Sequence, residues 1–283
     1  MAPDSDNPPP ADTPYSPAPG AEAGYTGNGV VRDTVTSLDL RGPESPPWNW
    51  SDILLIAVTA VLSSVLAMAA FYFIRARGSG KDLKALAADV WVLVPAQIVG
   101  YGITFLLMYL LVTRLYHLPF WRGIKWFWPR PLAGAIKYPL AGTALAMGLG
   151  LLQQLLPMPQ QVPFDRLFKT VAAIQLMAVF GILVAPFMEE LFFRGFLYPV
   201  LKRWGTAVAI PGTAVVFAFV HGYQYGWAWS AVLLMFLVGL ALTIARAWTG
   251  SVAPGFLIHV GYNLTLFVVM YLRTDHFRHL EHL

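Results

Sequence analysis

The chain of 283 residues contains no cysteine. Disulfides, thiolate metal sites and a cysteine nucleophile are therefore excluded. Charge is scarce as well: Asp, Glu, Lys and Arg make up 12% of the residues, and hydrophobic types 57%. An average soluble domain is about 25% charged and about 45–50% apolar. With a mean hydropathy of +0.58, the composition rules out an ordinary soluble enzyme and predicts a membrane protein. Three patterns are also missing. The lack of GxSxG argues against a serine hydrolase, and the lack of HExxH removes the helix-borne zinc signature. No repeat of fixed period supports a transporter built from repeated halves.

The charge that remains is uneven. Residues 1–52 hold eight acids (Asp4, Asp6, Asp12, Glu22, Asp33, Asp39, Glu44, Asp52) and two bases (Arg32, Arg41). The other 231 residues hold 17 bases and 7 acids, so the net +4 divides into −6 and +10. A pI of about 9.3 could suggest nucleic acid. Here the bases lie in short loops between apolar runs, where positive residues set membrane orientation, and no nucleic-acid partner is expected. Residues 1–47 carry ten of the 22 prolines. Such a segment buries too little apolar surface to offset its chain entropy. The expected organisation is a disordered, acidic, Pro-rich tail over 1–47, a transmembrane helical domain over 48–272 and a short polar C-terminal tail over 273–283.

A spanning helix needs about 20 mostly apolar residues. Candidate spans are Ile53–Ile74, Val90–Val112, Leu132–Leu156, Val171–Met188, Ala207–Val220, Ala228–Ala245 and Val252–Tyr271. The run from Val171 to Leu201 has room for a second element, so the expected fold is an all-α polytopic membrane bundle of seven to eight helices. Trp121, Trp126 and Trp128, interleaved with Arg122, Lys125 and Arg130, suit an interfacial belt. The loops Arg75–Lys84 and Arg114–Arg130 are both basic and flank one span, which leaves the orientation open.

Within Ile53–Leu272 there are five acids; Asp82, Asp89 and Asp165 fall at loops or span ends. The other two, Glu189 and Glu190, are adjacent inside the apolar stretch Val179–Leu201. A carboxylate at membrane depth is costly, and such residues mark functional sites. Glu190 and Arg194 are four apart and share a helix face, so they can pair. Glu189, turned about 100° away, has no cation at i+3 or i+4. Pro186 removes a helix hydrogen bond and predicts a kink or a helix start. Two readings follow: a structural pair beside a carboxylate free to act as a base, or a Glu–Arg clamp beside an acid pointing to water.

Six histidines are present. His276, His279 and His282 lie in the C-terminal tail and His117 in an interfacial loop, where solvation is expected. His221 ends the apolar run Val215–Val220, and His259 precedes Asn263 by one turn. A single buried histidine is more often a packing residue than a catalyst. Two of them beside an intramembrane acid pair fit water activation. Glu189 would take a proton from water, His221 would position that water, and His259 with Asn263 would hold the developing oxyanion. This scheme needs no cofactor. A competing scheme places a divalent metal such as zinc on Glu189, His221 and His259. A transporter, or an immunity or scaffold protein without enzymatic activity, is the alternative from another class.

Glu189-Glu190-Leu191-Phe192-Phe193-Arg194 reads EExxxR, Phe217–His221 reads FxxxH, and His259–Asn263 reads HxxxN. In that order, with Gly250–Pro254 before the last, they resemble the CPBP (Abi) intramembrane protease family, which includes the CAAX prenyl endopeptidases. The resemblance covers about residues 175–270, within a protease-like core of about 170–272. It implies an eight-helix fold in a prokaryotic cell membrane, with Glu189, His221, His259 and Asn263 catalytic and Glu190 and Arg194 in support. Some members are described as metalloproteases. The implied substrate is a membrane-embedded or lipid-modified peptide or protein of CAAX type.

Overall fold

The computed structural model describes residues 45–79, 89–168 and 170–277. Most of the expected tail over 1–47 lies outside the described residues, as do His279 and His282. Pro46, inside that expected tail, is already buried.

Seven helices among the described residues are long and apolar enough to cross a membrane: α1 (Trp50–Arg77), α2 (Val90–Leu115), α3 (Leu132–Gln153), α4 (Val171–Trp204), α5 (Thr206–Tyr225), α6 (Trp229–Thr249) and α7 (Ala253–Arg273). The protein is an integral, multi-pass membrane protein. Helices are dictated here because lipid offers no hydrogen-bond partner, so each backbone group must be satisfied within its own segment. The outer surface is apolar: Leu54, Val61, Leu66, Ile103, Leu151 and Phe219 are all exposed. In water such a surface would drive aggregation; in a bilayer it is the solvated face.

The stretch with room for two elements, Val171–Leu201, forms part of one long helical rod, α4. It is not uniform. Two π-helical segments, Phe180–Val184 and Leu191–Leu197, bracket a short α-helical turn, Ala185–Glu190. Pro186 therefore neither starts a new span nor stops the old one; it follows directly on the wider π turn. This rod is the centre of the bundle. Leu191, Arg194, Phe196 and Val200 are at 0% exposure, and α2, α5 and α7 pack against it.

Small residues set the closest crossings, as expected where lipid supplies no hydrophobic drive between helices. A side chain on Gly142 of α3 would collide with the backbone of Ile258 and Tyr262 in α7, and one on Gly261 with the backbone of Pro139. That contact fixes α7 two residues from His259.

Seven spans in series alternate direction, and hydrogen bonds between the loops define the two faces. On one face Arg203 Nη2 donates to the carbonyls of Pro46 (2.8 Å) and Trp48 (2.7 Å), the Tyr116 hydroxyl donates to Asp52 Oδ2 (2.7 Å), and Ser251 Oγ donates to Phe127 O (2.7 Å). Among the described residues this face carries Arg114, Arg122, Lys125, Arg130, Lys137, Lys202, Arg203 and Arg246 against the acid Asp52. The opposite face carries Arg75, Arg77, Arg166 and Arg273 with Asp89, Asp165 and Asp275. The basic stretch Arg114–Arg130 stays on its own face, anchored by the buried Phe120, Ile124 and Trp126.

Candidate active site

Three helices bring Glu189, Glu190, His221 and His259 together. Glu190 is fully buried, and its Oε1 accepts from Arg194 Nη1 at 2.8 Å, the i, i+4 partner expected from the sequence. Arg194 Nη2 donates to Gly239 O of α6 at 2.9 Å. Burial of both charges would be expensive without this pairing. The same Glu190 oxygen lies 3.2 Å from His259 Nδ1. Gly255, one turn before His259, leaves room for this carboxylate: a Cβ there would stand 2.8 Å from Glu190 Oε2 and displace it.

Glu189 is the more open acid, with its side chain 18% exposed. Oε1 lies 3.8 Å from His221 Nε2 and Oε2 lies 3.7 Å from His259 Nε2. These gaps exceed a direct hydrogen bond and suit a polar contact bridged by one water. Each imidazole is oriented through its other nitrogen. His221 Nδ1 lies 2.8 Å from Phe217 O, a group that can only accept. His221 Nδ1 thus carries a proton, which aims Nε2 at Glu189. The Phe217 ring packs against His221 with centroids 4.3 Å apart and planes tilted by 34°, and is itself buried, so this residue packs and aligns.

Asn263, one turn after His259 on α7, has a partner of its own. Its Nδ2 donates to Gly181 O of α4 at 2.7 Å. An amide nitrogen carries two N–H groups, so a second donor is left for other work. The shared helix face of His259 and Asn263 is thus divided between the acid pair and the first π segment of α4.

Zinc would need three donors converging on one point at about 2.0–2.2 Å. Among the described residues no three His, Asp or Glu side chains form a metal-holding group. The two imidazoles face opposite oxygens of Glu189. The residues present do not fit a zinc shell as they are arranged.

Some residues around the site were not singled out from the sequence. Tyr101 of α2 and Tyr225 at the end of α5 lie within electrostatic reach of Glu189. Arg246, counted with the loop bases, is only 5% exposed and donates from Nε to Arg194 O at 3.2 Å. Its one visible signal is a cation still inside the last turn of an apolar helix.

Residues 171–265, about a third of the chain, match the Rce1-like family model, described as type II CAAX prenyl endopeptidase Rce1-like. No curated protein and no solved structure matches the chain. The matched segment contains all four motifs named above and supports, in general terms, an intramembrane protease of CAAX type.

Proposed function

We propose that this protein, whose residues 171–265 match the Rce1-like endopeptidase family, hydrolyses a peptide bond in a membrane-embedded or lipid-modified substrate by glutamate-activated water. The observation that carries the reading is the pair of imidazole Nε2 atoms at 3.8 and 3.7 Å from the two oxygens of Glu189. A water between them has a carboxylate to take its proton and His221 Nε2 to accept a hydrogen bond.

Attack of that water on the scissile carbonyl forms a C–O bond and places negative charge on the carbonyl oxygen. His259, when doubly protonated, keeps Nδ1–H on Glu190 and offers Nε2–H to that oxygen. The second Nδ2–H of Asn263 is the other donor. Losing one oxyanion donor typically costs about 10²–10³ in rate. The C–N bond then breaks, and the proton held by Glu189 passes to the departing amine. Glu190 and Arg194 hold His259 in place and take no part in bond making.

We take the face bearing Lys202 and Arg203 as cytoplasmic because, among the described residues, it carries eight Lys and Arg against four on the other. The substrate is a chain that reaches the bilayer from its own lipid anchor or its own span.

The test compares new peptide termini in membranes of cells making the wild-type protein or Glu189→Gln. A terminus present with the wild type and lost with Glu189→Gln, at equal protein levels, supports the reading. Identical termini in both reject it.

A further inference from the structure

Both π segments of α4 run into a proline, and in both cases a side chain from another helix takes the carbonyl that the proline leaves open. In the first segment the Ala185 N–H donates five residues back, to Phe180 O. The next acceptor in that phase is Gly181 O, and its donor would be residue 186. Pro186 has no N–H, and Asn263 Nδ2 from α7 donates to Gly181 O at 2.7 Å. In the second segment the Tyr198 N–H donates five back, to Phe193 O. The next acceptor is Arg194 O and its donor would be residue 199. Pro199 has no N–H, and Arg246 Nε from α6 donates to Arg194 O at 3.2 Å.

We infer that Asn263 and Arg246 are paired positioning residues: each replaces the N–H missing from a proline and together they fix the rotation of the turn carrying Glu189 and Glu190. An extra residue in a helical turn rotates everything after it by about 100°. The two π segments therefore decide which way Glu189 and Arg194 point. A π segment without its closing hydrogen bond would relax toward the α form, and a buried carbonyl would stay unpaired. Besides the bond to Arg194 O, Arg246 meets only an aromatic ring among the contacts of the described residues. Among the described residues it forms no ion pair; its guanidinium carbon lies 5.4 Å from the Tyr198 ring centroid. A buried cation is retained in an apolar helix when its donor is needed.

The two pairings give a crossed pattern of rescue. Pro186→Ala restores an N–H opposite Gly181 O, and Pro199→Ala one opposite Arg194 O. Asn263→Leu should lower the melting temperature, and Pro186→Ala should recover most of the loss while Pro199→Ala recovers none. Arg246→Met should lower the melting temperature and slow cleavage about ten- to a hundredfold, the scale expected for a misplaced catalytic group. Here Pro199→Ala should rescue both readouts and Pro186→Ala neither. Deficits that are the same in both proline backgrounds overturn the pairing.

If the proline variants do not fold, Arg246→Gln decides. Glutamine puts an N–H at the chain position of arginine Nε, so it should keep at least half of what methionine loses; equal loss overturns the proposal. The cleavage arm rests on the protease reading. The melting arm does not, so a failure of that reading is distinguishable from a failure of this one.

Discussion

Glu190 and His259 are joined through a single carboxylate oxygen: Oε1 receives Arg194 Nη1 at 2.8 Å and lies 3.2 Å from His259 Nδ1. One atom thus connects the buried ion pair of α4 to the imidazole that faces Glu189. The two adjacent glutamates divide the work by rotation alone, one turned to the bundle's cation and the other to the open side.

The buried pair gives the first prediction. Glu190→Gln or Arg194→Met leaves a buried charge without its partner and should cost about 3–5 kcal/mol of stability. The double variant Glu190→Met with Arg194→Met removes both charges and should recover much of that loss, while cleavage stays low because His259 has lost its anchor. Thermal unfolding in detergent checks this, and single variants that melt like the wild type would contradict it.

Gly255 gives the second. A methyl group there would stand 2.8 Å from Glu190 Oε2. Gly255→Ala should destabilise by about 1–3 kcal/mol through overpacking and slow cleavage by displacing the same carboxylate. Unchanged melting and rate would show that the helices shift to make room.

The absence of cysteine makes the orientation directly testable. Lys202→Cys should react with a membrane-impermeant maleimide only from the cytoplasmic side, and Arg166→Cys only from the opposite side. The reverse pattern would contradict the assignment of faces.

Metal dependence is the fourth prediction. The two imidazoles address separate oxygens of Glu189, so a strong chelator should leave cleavage by purified protein unchanged, and elemental analysis should find less than one zinc per chain. Stoichiometric zinc, with activity lost on removal and restored on return, would establish the metal scheme.

Much of this arrangement was legible in the chain. Long apolar runs located all seven spans because lipid imposes a strong length rule. The four-residue spacing of Glu190 and Arg194 predicted their pair because it depends on one helix alone. The approach of His221 and His259 to Glu189 came from motif order and from the scarcity of polar groups in the body. The rest depends on partners far apart in sequence. Nothing local says that residues 180–184 and 191–197 widen into π turns, or that Asn263 turns to Gly181. Arg246 looks like a loop base until α4 is packed against it. The bound at residue 47 also shifted: proline content suggested chain without structure, yet Pro46 is held by Arg203.

The most direct measurement is cleavage of a lipid-modified CAAX-type peptide by purified protein in ¹⁸O-labelled water, with wild type and Glu189→Gln compared at equal melting temperature. Glutamate activation of water predicts ¹⁸O in the new carboxylate of the wild-type product, and a rate about 10²–10⁴ lower for Glu189→Gln. Cleavage by Glu189→Gln at the wild-type rate would contradict it.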